Sequence, residues 1–244
     1  MYPHERLLDG LVTKAIKTWD IFSPGDKVVI GLSGGKDSAV LAYLLASMVK
    51  HHRLPVTLHA LYIHTDFSEH RLAPTLKTLV QSWGIEVTEL DVPVRARLQE
   101  GRKLNCYWCS MQRRTELIRF AEKHGYNTIA LGHHLDDVLE TVLMNMLGKG
   151  ELATMLPVMQ YEKYPIKIAR PLYLVEEHQI VLFAQELGLY ENGGMTICTC
   201  TFNIDGRRDT TGKLLESLTG GSSKKKHLLL QSLMNVKHDY LPKV

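Results

Sequence analysis

The spacing of hydrophobic residues along the chain divides it into alternating helices and strands. Between Leu8 and Trp19, apolar residues recur at intervals of three and four, which predicts an amphipathic helix. The turn residues Pro24-Gly25-Asp26 then lead into Lys27–Leu32, a β-branched run that is typical of a buried strand. The same criteria predict further strands at 58–64, 86–90, 128–131 and 166–170, and further helices at 38–50, 73–83, 111–123, 136–147, 176–187, 211–218 and 227–236.

This order of elements indicates the fold class and the place where chemistry is expected. Strands that alternate with helices predict an α/β fold: a Rossmann-like parallel sheet with helices on both faces, plus an N-terminal helix and a C-terminal helical appendage. We expect three segments, a helix at 1–24, a central α/β domain at 25–172 and a helical extension at 173–244. Ligands of such sheets bind beyond the carboxyl ends of the strands, so the loops after Leu32, His64 and Leu131 are candidate sites.

Composition argues against a membrane or secreted protein. Hydrophobic residues make up 45% of the chain and charged residues 23%, as in an ordinary globular protein. The longest apolar run, 39–49 when Tyr43 and Ser47 are allowed in it, is far shorter than the ~20 residues that span a bilayer. The start, Met-Tyr-Pro-His-Glu-Arg, carries charges where a signal peptide would be apolar. We therefore expect a cytoplasmic protein with no membrane partner.

The net charge and the cysteine content exclude fewer classes of function. The net charge of +3 does not demonstrate nucleic-acid binding, but it permits binding wherever basic residues cluster. The four cysteines are too few for a disulfide scaffold in a chain of 244 residues. In a reducing compartment, closely spaced cysteines indicate metal or redox chemistry instead.

A glycine-rich loop, Ser33-Gly34-Gly35-Lys36-Asp37-Ser38, follows the first strand and opens the next helix. Its glycines allow the backbone to approach an anion, the N–H groups at the helix start attract that anion, and Lys36 adds a positive charge. It is not a Walker loop, because Ile30 stands in place of the first glycine and Asp37 follows the lysine. The loop resembles the pyrophosphate loop, Ser-Gly-Gly-x-Asp-Ser, of the N-type ATP pyrophosphatases. The alternative is a glycine-rich turn without function.

A second unusual loop, Gly132-His133-His134-Leu135-Asp136-Asp137, follows the fourth strand and opens another helix. Carboxylates are favourable in the first turn of a helix, which is sufficient to explain one aspartate. Two histidines and two aspartates beside a phosphate site indicate chemistry. We expect Asp136 or Asp137 to bind Mg²⁺ and position the triphosphate, and His133 to handle a proton. Lys36 and Asp37 complete the predicted catalytic set, and Leu61, Ile63 and Gly132 complete the predicted ATP-binding set.

The four cysteines form two close pairs. Cys106-Tyr107-Trp108-Cys109 lies just before the helix that carries Arg113 and Arg114, and Cys198 and Cys200 are separated by one residue. A Cys-x-x-Cys pair alone is compatible with zinc, an iron–sulfur cluster, a redox pair or chance. Four thiolates would suit structural zinc, although Cys-x-Cys is not its usual spacing. Three thiolates would leave one iron of a cluster open, and the four could also be reduced thiols without a role.

Taken together, these motifs resemble the tRNA 2-thiocytidine synthetase (TtcA) family of the PP-loop N-type ATP pyrophosphatase superfamily. The resemblance extends over nearly the whole chain. It is carried by Gly25-Asp26, the loop at 33–38, Cys106-x-x-Cys109-Ser110 with Arg113-Arg114, the run at 130–137, Leu143-Met144-Asn145, Arg170-Pro171-Leu172 and the closing helix at 231–236. It implies the adenine nucleotide alpha hydrolase-like fold of the PP-loop ATPases for the segment 25–172.

The resemblance also implies an activity and its cofactors. Members use ATP and Mg²⁺ to adenylate the C2 oxygen of an anticodon-loop cytidine, and sulfide carried by a 4Fe–4S cluster then displaces AMP. Carried over to this chain, the loop at 33–38 holds pyrophosphate, the Asp136-Asp137 pair serves ATP and catalysis, and Cys106 and Cys109 bind the cluster.

The third cluster ligand is expected to be Cys200. It precedes a small residue, an aromatic residue and later Arg207-Arg208, as the corresponding ligand does in related thiolases. Cys198 is the alternative, because this chain has Cys-x-Cys where the best-known members have Cys-x-x-Cys.

The resemblance implies three partners: tRNA, a sulfur donor that delivers sulfide or persulfide from a cysteine desulfurase, and a second copy of the chain in a homodimer. Candidate contacts to RNA phosphates are Arg102, Lys103, Arg113, Arg114, Arg207, Arg208 and the lysines at 224–226. The lysine run is equally typical of a solvated helix face. Binding through phosphates predicts strong dependence on salt.

Three other functions fit parts of the sequence. They are an ATP-dependent ligase or amidating enzyme with a zinc clip, a tRNA 2-thiouridine synthetase with zinc-bound cysteines, and a module that binds nucleotide or RNA without turnover. The first lacks an accompanying glutaminase sequence, and the second needs more Cys/His modules than four cysteines supply. The third does not explain why Lys36-Asp37 and the loop at 133–137 are both present.

Overall fold

The computed structural model describes residues 2–66, 71–98, 106–191, 195 and 207–240. Its strands are β1 (Lys27–Leu32), β2 (Thr57–Thr65), β3 (Glu86–Val92), β4 (Thr128–Ala130), β5 (Val158–Gln160) and β6 (Lys167–Ala169). Its helices are α1 (Glu5–Thr18), α2 (Lys36–Lys50), α3 (Pro74–Ser82), α4 (Cys106–His124), α5 (Leu135–Lys149), α6 (Glu177–Glu186), α7 (Arg207–Thr219) and α8 (Ser223–Met234). Every predicted helix and strand is present, with ends that shift by up to five residues. In this part of the chain, no helix combines the length and the apolar character needed to cross a membrane.

The six strands form one sheet in the order β3-β2-β1-β4-β6-β5. β1 is parallel to both of its neighbours, with Val28 opposite Leu58 of β2 and Thr128 of β4. β5 runs antiparallel to β6 at the edge, because the six residues that join them form a hairpin, which is too short for a parallel crossover. The sequence predicts α/β architecture, which is confirmed, but it does not predict β5, whose three residues are too few to show a periodic pattern.

Each face of the sheet packs against helices. In β1, Val28, Ile30 and Leu32 belong to one hydrophobic cluster and Val29 to another, because successive side chains of a strand point to opposite faces. The first cluster includes buried residues of α1, α2, α3 and α6, and the second includes residues of α4. The predicted arrangement of helices on both faces is therefore present.

A buried charge network ties together the amino ends of three strands. Asp26, just before β1, accepts hydrogen bonds from the backbone N–H of Ser23 at 2.8 Å and from the side-chain amide of Asn127 at 2.9 Å. Its carboxylate also lies 2.9 Å from Nζ of Lys167 in β6. Burial raises the pKa of Asp26, but these hydrogen bonds and the charge of Lys167 outweigh burial, so the pKa lies below its ordinary value.

The strand order creates a topological switch point at β1. The chain passes from β1 to β2 and β3 on one side, and it then places β4 on the other side of β1. In open α/β sheets a crevice forms at the carboxyl ends of two such strands, and ligands bind there. The loops that begin at Ser33 and Leu131 leave the sheet at this point.

The chain divides into two compact units. The first comprises Met1–His134 and Leu156–Asp205, with the sheet, α1 to α4 and α6; the second comprises Leu135–Met155 and Gly206–Val244, with α5, α7 and α8. The predicted segments 1–24, 25–172 and 173–244 do not coincide with these units. The physical reason is that α1 packs on α2 and α6 within the first unit, whereas α5 packs on α7 and α8 within the second.

Candidate active site

The glycine-rich loop forms the turn between β1 and α2. Gly34 has a φ of 88°, which lies in a region of backbone conformation that residues with a side chain rarely adopt. Gly35 caps α2, whose first residue is Lys36. The two glycines therefore permit a tight turn that places the first N–H groups of α2, which have no partner within the helix, at the carboxyl end of β1.

The two serines hold the shape of this loop. The backbone N–H of Ser33 donates to Oγ of Ser38 at 3.0 Å, and the Ser38 hydroxyl donates to the carbonyl oxygen of Gly35 at 3.1 Å. Oγ of Ser33 accepts from the backbone N–H of Gly35 at 3.3 Å and lies 3.0 Å from Oγ of Ser38. Because the bonds connect both ends of the loop, the loop is organised before any ligand arrives.

The ammonium group of Lys36 lies between two carboxylates. Its Nζ is 3.2 Å from Oδ1 of Asp37 and 2.9 Å from Oε1 of Glu177, the first residue of α6. Burial lowers the pKa of Lys36, but the hydrogen bond to Glu177 and the charges of both carboxylates outweigh burial, so the pKa lies above its ordinary value. Lys36 is therefore a fixed positive charge at the loop. Sequence reasoning missed Glu177, which is 141 residues away and belongs to no motif.

The loop after β4 packs directly on the glycine-rich loop. A Cβ atom at Gly132 would lie 3.0 Å from the carbonyl carbon of Asp37 and 3.0 Å from the backbone nitrogen of Ser38, so any larger residue would require this backbone to move by a few tenths of an ångström. The neighbouring His134 is buried, and its Nε2 is 3.9 Å from Oδ1 of Asp37. Two loops that the sequence identifies separately thus meet at the switch point of the sheet.

A cavity of about 190 Å³ adjoins both loops. Strand residues provide its apolar wall, including Leu61 and Ile63 of β2, which were predicted to bind ATP. Its lining residues are Gly31, Leu32, Ser33, Leu61, Ile63, Ser110, Arg113, Arg114, Leu117, Ile129, Leu131, His133 and Ile168. The cavity therefore combines an apolar floor with hydroxyl, imidazole and guanidinium groups, as ligand sites usually do.

Arg113 lines the cavity and also carries a buried hydrogen-bond donor. Its Nε is buried and makes no hydrogen bond to the residues that the structure describes. A buried donor without a partner is costly, and the guanidinium group that carries it belongs to a residue of the cavity wall, where its positive charge suits an anionic ligand. Arg113 and Arg114 were predicted to contact RNA phosphates; the structure places both in the wall of this cavity.

The Cys-x-x-Cys motif lies at the start of α4. Cys106 is the first residue of the helix, Cys109 is half-buried one turn later, and the adjoining Ser110 lines the cavity. Cys198 and Cys200 lie outside the described residues, and so does the side chain of Cys106. Within the described ranges, no three histidine, cysteine, aspartate or glutamate side chains are grouped as a metal site would require.

Asp136 and Asp137 occupy the first turn of α5, in the second unit. Asp136 is buried, and its Oδ1 lies 2.7 Å from Nζ of Lys226 in α8. Lys226 is itself only 8% exposed. This corrects the interpretation of Lys226 as an RNA contact or part of a solvated face, because its charge is used inside the protein.

The remaining predicted basic contacts have different environments. Lys224 and Lys225 are exposed on α8, which is compatible both with a contact to RNA phosphates and with a solvated helix face. Arg102 and Lys103 lie outside the described residues, and so do the side chains of Arg207 and Arg208.

Comparison with known proteins identifies relatives of this chain. The family model described as a PP-loop domain matches residues 7–190. The tRNA-cytidine(32) 2-sulfurtransferase 1 of Francisella philomiragia is 32% identical over 241 residues, covering 97% of this chain and 92% of the relative. The tRNA-cytidine(32) 2-sulfurtransferase 2 of Francisella tularensis subsp. novicida is 31% identical over 241 residues, covering 97% and 93%.

Solved structures share the fold. The U34-tRNA thiolase NcsA from Methanococcus maripaludis, solved with its [4Fe-4S] cluster, has a TM-score of 0.77 at 23% identity, covering 98% of this chain and 82% of that one. The NMN synthetase from Francisella tularensis has a TM-score of 0.54 at 18% identity, covering 99% and 96%. With the family match over most of its length and curated relatives above 30% identity, this chain belongs to the PP-loop family, in the group of the tRNA-cytidine(32) 2-sulfurtransferases.

Proposed function

We propose that this protein is an ATP-dependent tRNA sulfurtransferase that adenylates the C2 oxygen of an anticodon-loop cytidine and replaces this oxygen with sulfur. The names of its relatives specify the cytidine at position 32. The observation that carries the proposal is the meeting of the Lys36 loop with the Gly132 loop beside a cavity that contains two arginines. Such a site suits a reaction in which a polyphosphate is bound and then leaves.

The phosphate loop accounts for the adenylation step. The N–H groups at the start of α2 and the ammonium of Lys36 bind the phosphates of ATP. When the C2 oxygen attacks the α-phosphorus, the bond to the β-phosphate oxygen breaks and negative charge develops on the pyrophosphate. Lys36 and the cavity arginines stabilise that charge. His133 lines the cavity, which supports its expected role in proton handling.

The two aspartates of α5 have separate roles in this proposal. Asp136 is buried against Lys226, whereas Asp137 is partly exposed. Hard cations such as Mg²⁺ are bound by carboxylates that keep access to water and phosphate. We therefore assign Mg²⁺ and triphosphate positioning to Asp137, and we assign to Asp136 the positioning of α5 through its ion pair.

Cys106, Cys109 and Cys200 would hold the 4Fe–4S cluster, with Cys198 as the alternative third ligand. When bound, the cluster would supply the sulfide that replaces the C2 oxygen. Cys109, the proposed ligand whose side chain the structure describes, fits such a group: thiolates are the ligands that iron–sulfur clusters use, and negative charge is favoured in the first turn of a helix, where Cys109 lies. Ser110 connects this turn to the wall of the cavity.

The partners belong to the same proposal. tRNA is the substrate, a cysteine desulfurase supplies sulfide or persulfide, two copies form a homodimer, and the protein acts in the cytoplasm. Arg113 and Arg114 support an anionic ligand, because both line a cavity and Nε of Arg113 has no hydrogen bond within the described residues.

The proposal is tested with protein purified and reconstituted with iron and sulfide in the absence of oxygen. Incubation with unmodified tRNA, ATP and sulfide should yield 2-thiocytidine, measured by mass spectrometry of the digested nucleosides. Omission of ATP should abolish the product. Zinc in place of iron, together with no thiolated nucleoside, would refute the proposal and favour a ligase.

The choice between Cys198 and Cys200 needs separate Cys→Ser variants and a measurement of iron after anaerobic reconstitution. We expect Cys200→Ser to lose iron and Cys198→Ser to retain it. The reverse result would assign Cys198 as the ligand. Loss in both variants would indicate a four-thiolate site and contradict an open iron.

A further inference from the structure

An acidic residue, Glu177, contacts the lysine of a loop suited to bind an anion. Its Oε1 is 2.9 Å from Nζ of Lys36, the residue that supplies positive charge to the phosphate loop. A carboxylate at this place repels a phosphate, so phosphate binding does not explain its presence.

The position of Lys36 explains why a carboxylate is needed. Lys36 is the first residue of α2, and the positive end of the helix dipole disfavours a cation there. The side chain is also mostly buried, with 19% of its surface exposed. An ammonium in this environment requires a nearby anion, and in the protein without ATP the chain itself provides it through Asp37 and Glu177.

Glu177 is well suited to release Lys36 again. It is the first residue of α6, where the helix dipole stabilises a carboxylate. Half of its side chain, 51%, is exposed, so water can solvate the group once the ion pair opens. The helix itself stays anchored, because the buried Glu176 caps it and the side chain of Gln179 accepts the backbone N–H of Glu176 at 3.0 Å.

Building on the function proposed above, we infer that Glu177 is an internal counter-ion that holds Lys36 in the empty site and competes with polyphosphates for it. Arrival of ATP requires the ammonium to exchange the carboxylate of Glu177 for phosphate oxygens. After adenylation, the return of Glu177 to Lys36 displaces pyrophosphate. Glu177 therefore weakens the binding of both ATP and pyrophosphate, and it promotes release of the product.

The raised pKa of Lys36 supports this exchange. Burial lowers this pKa, but the hydrogen bond to Glu177 and the charges of Asp37 and Glu177 raise it above its ordinary value, so the group that an incoming phosphate meets is a charged ammonium. Asp37 is the neighbour of Lys36 in the same turn and stays with it. Glu177 is the partner that belongs to another helix.

The test compares the binding of inorganic pyrophosphate to the wild type and to Glu177→Gln by isothermal titration calorimetry, in the full-length protein. Loss of one repelling charge at a partly solvated site should tighten binding by about three- to tenfold. Inhibition of the ATP-dependent reaction by pyrophosphate should strengthen by the same factor. Glu122→Gln makes the same chemical change on an exposed turn of α4 and should leave the affinity unchanged.

Glu177→Asp retains the negative charge and should keep the pyrophosphate affinity within about twofold of the wild type. Unchanged or weaker binding in Glu177→Gln would overturn the inference, because an anchor between α6 and α2 alone would change the melting temperature but not the affinity. If both wild type and variant bind pyrophosphate equally, the inference fails while the phosphate site stands. If neither protein binds pyrophosphate or ATP, the proposed function fails as well.

Discussion

Replacement of Gly132 by alanine tests whether the contact between the two loops is needed for activity. The added Cβ would lie 3.0 Å from the carbonyl carbon of Asp37, 3.0 Å from the nitrogen of Ser38 and 3.1 Å from the carbonyl oxygen of Asp37. All three atoms belong to the backbone of the first turn of α2, so no flexible side chain can move aside. The loop must shift by a few tenths of an ångström, and such overpacking costs about 1–3 kcal/mol.

Activity should fall more than stability in this variant. A loss of about 1–3 kcal/mol lowers the melting temperature by about 2–12 °C in a protein of this size. The shift also moves Lys36 and the N–H groups of α2, and turnover is sensitive to such movement, because a displacement of about 1 Å can reduce it by about 10²-fold. We expect pyrophosphate release, followed in anaerobic assays with tRNA and ATP, to drop at least about tenfold at a temperature where the variant is folded.

Gly10→Ala is the matched control for this change. Gly10 lies inside α1, and a Cβ there would have no atom within 4 Å. Because glycine weakens helix interiors, the free energy of unfolding of the control should rise by about 0.5–1 kcal/mol, and its activity should be unchanged. Normal melting and normal turnover in Gly132→Ala would refute the close contact, and equal losses in both variants would show that the effect does not depend on the loop.

Four further predictions concern charged residues. Lys36→Ala should abolish ATP-dependent thiolation and leave the fold intact, and undiminished thiolation would contradict the phosphate-loop assignment. Asp136→Asn should cost about 3–5 kcal/mol in chemical denaturation because it removes the carboxylate from a buried ion pair with Lys226. Asp137→Asn should reduce initial rates more than it reduces stability. If instead Asp137→Asn lowers mainly stability and Asp136→Asn lowers mainly the rate, Asp136 would be the residue that serves Mg²⁺ and the triphosphate. Because the folded pKa of Asp26 is lowered, its stabilisation is present above about pH 4 and is lost as the pH falls through the folded pKa, so the melting difference between wild type and Asp26→Asn should shrink in acid.

The sequence predicts helices and strands best where the buried residues form a clear pattern along the chain. The predicted strand Lys27–Leu32 has the same bounds as β1, because its apolar run is bounded by turn residues and buried on both faces. α4 begins five residues before its predicted start, at Cys106, because the bulky and polar residues that precede Met111 show no helical spacing of apolar positions. The edge strand β5 has three partly or fully exposed residues, so its formation depends on pairing with β6 rather than on its own sequence.

Within the site, local motifs were predictable and distant partners were not. The glycines, Lys36 and the histidine loop carry their chemistry in adjacent residues, and the parallel sheet brings the two loops to one edge. Glu177 and Lys226 lie in stretches without a motif, 141 and 90 residues from the side chains they contact. Their pairing depends on the packing of α6 on α2 and of α8 on α5, which no local pattern encodes.

These distant partners change the electrostatic account of the site. With Glu177 bound to Lys36, the phosphate loop itself has no excess positive charge, because Asp37 is also within 3.2 Å of the ammonium. Attraction for a polyphosphate then depends on Arg113 and Arg114 in the cavity wall and on the N–H groups of α2. Once phosphate oxygens replace Glu177, the positive charge of Lys36 adds to that of the two arginines. Glu177 therefore lowers the affinity of the site for both polyphosphates, and its return to Lys36 after adenylation promotes the departure of pyrophosphate.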